Sequence, residues 1–147
     1  MKLNALAPFA LVASMATPTT ALAQDNSRAV TEHTYRSLQA YARSPQYDAF
    51  QETIINRGLY YLESRLQTAV FMNAIKSGDF DDNFAAKVNL TTCAGYAMQG
   101  LAIAINVPPQ NPFFSMTFNT IDGMDNATQG AARNVDCRNV FYTYNLG

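Results

Sequence analysis

The residues with metal-binding spacing are Asp79, Asp81 and Asn83. They form the pattern D-x-D-x-N with which a calcium loop begins, because alternate oxygen side chains converge on one hard cation. Phe84 stands where a glycine should make the turn, and Leu90 stands where a bidentate glutamate should complete the ligand shell. We therefore interpret the stretch as a loop that caps a helix, and we predict no metal site.

The cysteine and histidine content also limits the chemistry. The chain holds Cys93, Cys137 and one histidine, His33, whereas a zinc site needs three or four convergent ligands. A Ser-His-Asp triad would have to use His33, and no serine lies in a nucleophile elbow. We predict that His33 is a surface residue, and we assign no catalytic residue and no cofactor.

Carboxylate pairs are the remaining route to catalysis. A glycosidic or proton-transfer site needs two carboxyl groups that meet in space. The candidates are Glu32, Asp48, Glu52 and Glu63. No spacing singles out a pair, so a small cell-wall hydrolase with a carboxylate site remains an alternative.

One constellation suggests a binding face instead. Arg57, Tyr61 and Arg65 follow each other at four-residue intervals, with Tyr60 adjacent, and we expect them to line one side of a helix. Arginine and tyrosine are enriched at the centres of protein interfaces. These four residues are the predicted partner-binding site.

The amino terminus resembles a cleavable secretory signal. A lysine, an apolar segment and the sequence Ala21-Leu22-Ala23 follow the layout of such a leader, and the apolar part is short for a membrane span. Cleavage after Ala23 would divide the chain into a signal peptide, 1–23, and a single helical domain, 24–147. We therefore predict a periplasmic or secreted protein without a membrane span after signal removal.

An exported chain meets an oxidising compartment, where an even number of cysteines usually pairs. We predict a Cys93–Cys137 disulfide. Closing this loop would stabilise the fold by about 4 kcal/mol in the chain-entropy description.

The mature chain would carry nine basic and eleven acidic side chains, because the only charged residue of the leader is Lys2. That balance argues against a nucleic-acid partner.

The elements that must position these residues are helices. Apolar spacing predicts a helix over Asp25–Ser44. Ser44 is also the expected N-cap of the next helix, with Pro45 as its first residue. A second helical tract runs over Pro45–Ser77 and ends at Gly78, with Gly58 leaving open one bent helix or two. Asp82 or Asn83 is the expected cap of the next helix.

The helix before Pro108-Pro109 is expected to be the buried one. Its stripe of mostly small residues at helical steps comprises Ala86, Leu90, Cys93, Ala97, Gly100 and Ala104. After the prolines, Phe114, Phe118 and Ile121 are helix-spaced, whereas Phe114, Met116 and Phe118 alternate as in a short strand; we predict a helix there, followed by a loop over Asp122–Asn134. The segment around Cys137 suits a helix or a short strand equally. The predicted fold class is a mainly α, three- to five-helix bundle.

The string Cys93-Ala94-Gly95-Tyr96 followed by Gly100 is similar to a C-x-G-Y motif in helical immunity proteins of type VI secretion effectors. It covers under a tenth of the chain, and its last glycine is displaced by one position, so it does not establish membership.

These observations favour a small exported binding protein of the bacterial envelope: an inhibitor, an immunity protein or an accessory subunit that acts by protein–protein contact. A structural or chaperone-like periplasmic component is a further alternative to the hydrolase. The oligomeric state stays open.

Overall fold

The computed structural model describes residues 19–106, 122 and 134–146 of the chain. The described part is a bundle of helices without strands, and the predicted mainly helical fold is confirmed. The helices are α1 (Thr19–Ala42), α2 (Pro45–Asn56), α3 (Glu63–Ser77), α4 (Phe84–Ile105) and α5 (Cys137–Thr143). The predicted cleavage point after Ala23 falls inside α1. The expected helix around Phe114–Ile121 lies outside the described residues, as does most of the expected loop over 122–134.

The junction between α1 and α2 forms as its sequence predicts. The Ser44 hydroxyl accepts a hydrogen bond from the Tyr47 amide at 3.4 Å, and Pro45 is the first residue of α2. Proline suits this position because it has no amide to leave unpaired and its φ is already helical.

Gly58 divides the second predicted tract into two helices. Its φ of 79° lies in the left-handed region, where a residue without Cβ is favoured. The Leu59 amide donates to the Ile54 carbonyl at 3.2 Å and the Gly58 amide donates to the Ile55 carbonyl at 2.9 Å. This pair of bonds is a Schellman motif, which ends α2 and satisfies its last carbonyls.

The junction between α3 and α4 also follows helix-capping chemistry. Gly78 ends α3 with a φ of 80°, as predicted. Of the two expected caps, Asn83 is the one used: its Oδ1 accepts from the Ala86 amide at 3.0 Å. Two side chains from outside α3 complete its end: Gln39 of α1 donates to the Ile75 carbonyl, and Arg43, which follows α1, donates to the Lys76 carbonyl.

Helix α4 is the centre of the bundle and contacts α1, α3 and α5. Ala86, Leu90, Cys93 and Ala97 of the small-residue stripe are buried, which confirms a core helix. Gly100 and Ala104 are exposed, contrary to expectation. Gly100 lies opposite Ser64, which is in the first turn of α3. The contact between α3 and α4 ends near this point, so α3 no longer covers the stripe there.

Within the described residues, α4 alone is long and apolar enough to cross a membrane. In its most apolar window, 61% of the residues are buried inside the bundle. That degree of burial is what a core helix requires.

The carboxyl-terminal segment is a helix rather than a strand. The Asp136 carboxylate accepts hydrogen bonds from the amides of Arg138 and Asn139, which caps α5. The sulfur atoms of Cys93 and Cys137 are 2.11 Å apart, so the predicted pair is present at disulfide distance and ties α5 to α4.

Candidate partner-binding site

The four predicted site residues lie on both sides of the α2–α3 junction. Arg57 is the carboxyl-terminal cap of α2, Tyr60 and Tyr61 lie in the turn, and Arg65 is in α3. The expectation of one continuous helical face is therefore wrong. Gly58 ends the helical periodicity on which the four-residue spacing depended.

The turn nevertheless holds the two tyrosines outwards. Leu59 and Leu62 pack on a small core cluster formed by Ile54, Leu101 and Ile105. With these two leucines directed inwards, the tyrosines between them stay accessible: Tyr60 is 46% exposed and Tyr61 is 84% exposed.

Arg65 and Tyr60 come together through the fold of the turn. The Arg65 guanidinium carbon lies 4.6 Å from the centroid of the Tyr60 ring, and Arg65 Nη1 donates to the Tyr60 carbonyl at 3.4 Å. The Tyr61 ring meets the Tyr60 ring edge-on, with centroids 4.9 Å apart. We refer to Arg57, Tyr60, Tyr61 and Arg65 as the tyrosine–arginine patch.

Gln51 connects this patch to the core, and the sequence gives no sign of that role. Arg65 Nε donates to Gln51 Oε1 at 3.2 Å, and Gln51 Nε2 donates to the Tyr47 hydroxyl at 2.6 Å. Tyr47 is buried, and burial raises the pKa of its phenol, so the hydroxyl stays neutral as an acceptor. The break at Gly58 places Gln51 and Arg65 on different helices, and the fold of the turn brings the two side chains together.

Asp81 and Asn83, two residues of the calcium-like pattern, have structural roles instead. Asp81 accepts hydrogen bonds from the Tyr35 hydroxyl at 2.7 Å and from Gln39 at 2.9 Å, and its second oxygen lies 3.4 Å from Arg36. The hydrogen bond from Tyr35 is the largest influence that lowers the pKa of Asp81. Asn83 caps α4. In the described ranges, no three His, Cys, Asp or Glu residues gather as a metal site would require.

The carboxylates considered for catalysis are spread over three helices. Glu32 on α1 accepts two hydrogen bonds from Lys87 Nζ, at 2.7 and 2.8 Å, and that lysine is buried. Asp48 and Glu52 lie exposed on α2. Glu63, the first residue of α3, accepts from Gln67. His33 is exposed on α1, as predicted.

A concave surface lies between α3, α4 and α5, and sequence patterns did not indicate it. This groove has a volume of about 670 Å³. Its apolar wall includes Leu66 and Val70 from α3, Tyr96 from α4, and Phe141 and Tyr142 from α5. It depends on α5, whose position the disulfide helps to determine.

Comparisons with protein-family models, with curated proteins and with solved structures found no match for this chain. The C-x-G-Y string lies in the middle of α4, where Cys93 is committed to the disulfide and Gly95 is buried. The resemblance to immunity proteins stays a prediction.

Proposed function

We propose that this chain is an exported helical protein of the bacterial envelope that acts by protein–protein contact, as an inhibitor, an immunity protein or an accessory subunit. The observation that carries the proposal is the tyrosine–arginine patch, in which Tyr61 is 84% exposed and contacts Tyr60, whose ring also holds the Arg65 guanidinium.

The patch is suited to binding because much of its ordering is done before a partner arrives. Immobilising a long side chain at an interface costs roughly 0.5–1.5 kcal/mol. Arg65 is already held by Gln51 and by the Tyr60 ring, so less of this cost falls on binding. Tyr61 then offers a large amphipathic ring with few rotatable bonds, as hot-spot residues do.

The charge of the patch indicates the partner. Arg57 is exposed, and no residue of the described part forms an ion pair with its guanidinium. Together with Arg65 it makes the patch locally basic. The complementary surface is a protein face with carboxylates around a recess that accepts the Tyr61 ring.

Replacing Tyr61 or Arg57 by alanine tests the patch. We expect each variant to keep its helical circular dichroism and to bind the partner roughly tenfold more weakly than the wild type. The loss should be larger for Tyr61→Ala, as at a hot spot. The measurement is affinity capture from the periplasmic fraction of expressing cells, followed by calorimetry with the purified partner. The processed chain is expected to begin at Gln24.

The matched control is Tyr142→Ala, which removes another exposed tyrosine, 68% accessible, from a different helix. It should leave binding of the same partner unchanged. Equal recovery of every captured protein by the wild type and by both patch variants would exclude this surface.

A further inference from the structure

Gln51 is hydrogen-bonded at both ends of its side-chain amide. Its Oε1 lies 3.2 Å from Arg65 Nε, and its Nε2 lies 2.6 Å from the hydroxyl of the buried Tyr47. A guanidinium has donors only, so the amide oxygen has to face Arg65 and the amide nitrogen has to face Tyr47. The orientation of the Gln51 amide is therefore fixed, with a core residue at one end and a patch residue at the other.

These contacts determine which donors of Arg65 remain for a partner. A guanidinium has five N–H donors. Gln51 takes the Nε donor, and the Tyr60 carbonyl takes one Nη1 donor at 3.4 Å. No residue of the described part bonds Nη2, so one donor on Nη1 and both on Nη2 remain. A carboxylate on the Nε–Nη2 edge would have to displace Gln51, whereas contacts to the Nη atoms leave Gln51 in place.

Gln51 and the Tyr60 ring restrain Arg65 in different ways. The guanidinium carbon lies 4.6 Å from the centroid of the Tyr60 ring. Attraction between a cation and an aromatic face depends mainly on distance, whereas a hydrogen bond constrains distance and direction. The ring therefore keeps the guanidinium nearby, and the bond to Gln51 sets which of its nitrogen atoms face inwards.

We propose that Gln51 is a positioning residue of the partner-binding site, which holds Arg65 Nε and thereby presents the Nη atoms to a carboxylate of the partner. This role rests on the function proposed for the tyrosine–arginine patch, and it specifies the part of Arg65 that makes the contact. Gln51 acts through Arg65. Releasing Arg65 should weaken binding, because its side chain would then be ordered only on association.

The proton on Arg65 Nε reports this restraint in the free protein. Its exchange with solvent, measured from nitrogen–proton correlation spectra of the full processed chain, should be slower than that of the exposed Arg57. Gln51→Met keeps the length of the side chain and removes the amide, so exchange should rise to the rate of Arg57. Gln51→Glu retains an oxygen acceptor and should restore slow exchange, which a role in packing alone would not explain.

Gln46→Met is the matched control. Gln46 lies in the first turn of the same helix and is exposed, so exchange at Arg65 Nε should not change. Tyr47→Phe removes the hydroxyl that holds the Gln51 amide and should speed exchange by less than Gln51→Met does. Far-UV circular dichroism monitors the fold of each variant. If Gln51→Met fails to fold, Tyr47→Phe answers the same question.

Calorimetry gives the second readout, with the purified partner that the wild type retains and Tyr61→Ala loses. Gln51→Met should bind this partner about three- to tenfold more weakly than the wild type, and Gln46→Met should bind it equally well. Gln51→Glu should also bind it more weakly, because Arg65 is then already paired with a carboxylate. Slow exchange with weak binding in this variant separates the position of Arg65 from its availability.

Two results would overturn the positioning role. One is equal exchange at Arg65 Nε in the wild type and in folded Gln51→Met. The other is an unchanged partner affinity of Gln51→Met while Tyr61→Ala loses the partner, which would leave the proposed function intact. If Tyr61→Ala and Arg57→Ala both retain every captured protein, the proposed function fails together with the Arg65 contact, whatever the exchange rates.

Discussion

At the scale of single residues, the polar groups nearest the core serve the fold. Tyr35 is fully buried, and its hydroxyl has Asp81 as its hydrogen-bond acceptor. Gln39 reaches the same carboxylate oxygen and also the last turn of α3. Asp81 therefore joins the α3–α4 loop to α1, and a residue that resembles a calcium ligand in the sequence is a structural acceptor.

Removal of this acceptor should be costly. Asp81→Ala leaves the buried Tyr35 hydroxyl without its partner, which costs roughly 1–3 kcal/mol of unfolding free energy. Urea denaturation near neutral pH measures the loss. Asp79→Ala is the control, because its carboxylate is exposed and forms no ion pair with the described residues; it should change stability far less. Equal stability of the two variants would contradict the role of Asp81.

The contribution of the Asp81 charge to the free energy of unfolding should decrease as the solution becomes acidic. Its pKa is lowered in the folded protein, so its charge stabilises the fold above the ordinary value of 3.8. That stabilisation is lost as the pH falls below 3.8 and through the folded pKa. The difference between wild type and Asp81→Asn, measured by urea denaturation at several pH values, should therefore shrink in acid. If the stability difference between wild type and Asp81→Asn grows in acid, the charged form of Asp81 does not stabilise the fold.

At the scale of elements, helix ends determine the position of the binding patch. The Schellman motif at Gly58 ends α2, and Leu59 and Leu62 then attach the turn to the small core cluster of Ile54, Leu101 and Ile105. The two tyrosines are exposed because the leucines on either side of them are anchored. The geometry of the patch thus depends on a helix end and a turn that its own side chains do not make.

Two glycine substitutions distinguish backbone strain from crowding. Gly58→Ala should cost about 1 kcal/mol, because the site has open space and only the positive φ opposes a side chain. Gly78→Ala should cost more, since its Cβ would also lie 3.3 Å from an Asp81 carboxylate oxygen. Denaturant unfolding of both variants measures which substitution lowers the free energy of unfolding more. A larger cost at Gly58 than at Gly78 would contradict this account.

At the scale of the whole molecule, the Cys93–Cys137 pair ties the short helix α5 to the core helix α4. Helix α5 spans only Cys137–Thr143, and its one buried residue is Val140. Tyr144 adds an edge-on contact with Phe80. An isolated helix of this length is unstable in water, so α5 depends on α4 and on the bond between Cys93 and Cys137.

Reduction of the bond should release α5 before the rest of the bundle. In the double variant Cys93→Ala/Cys137→Ala we expect a loss of up to about 4 kcal/mol. Hydrogen exchange should show the amides of α5 losing protection while those of α3 keep it. The oxidised wild type at the same pH is the reference. Full protection of α5 in the double variant would mean that packing alone holds this helix.

The sequence by itself determined the helical class, the helix ends at Ser44, Gly78 and Asn83, and the cysteine pair. These features follow from local chemistry: Ser44 and Asn83 cap helices, Gly78 adopts a left-handed φ, and a helix apolar nearly all round has to be buried. The cysteine pairing followed because two cysteines allow only one intramolecular disulfide.

Only the tertiary structure decided how the patch is built and where the groove lies. Periodicity places Arg57, Tyr61 and Arg65 on one face only if the helix continues, and the helix ends before Gly58 instead. Gln51 meets Arg65 through a contact between two helices, and the groove is lined by residues of three helices. Such contacts depend on how helices pack, and single-sequence spacing reports only the faces within one helix.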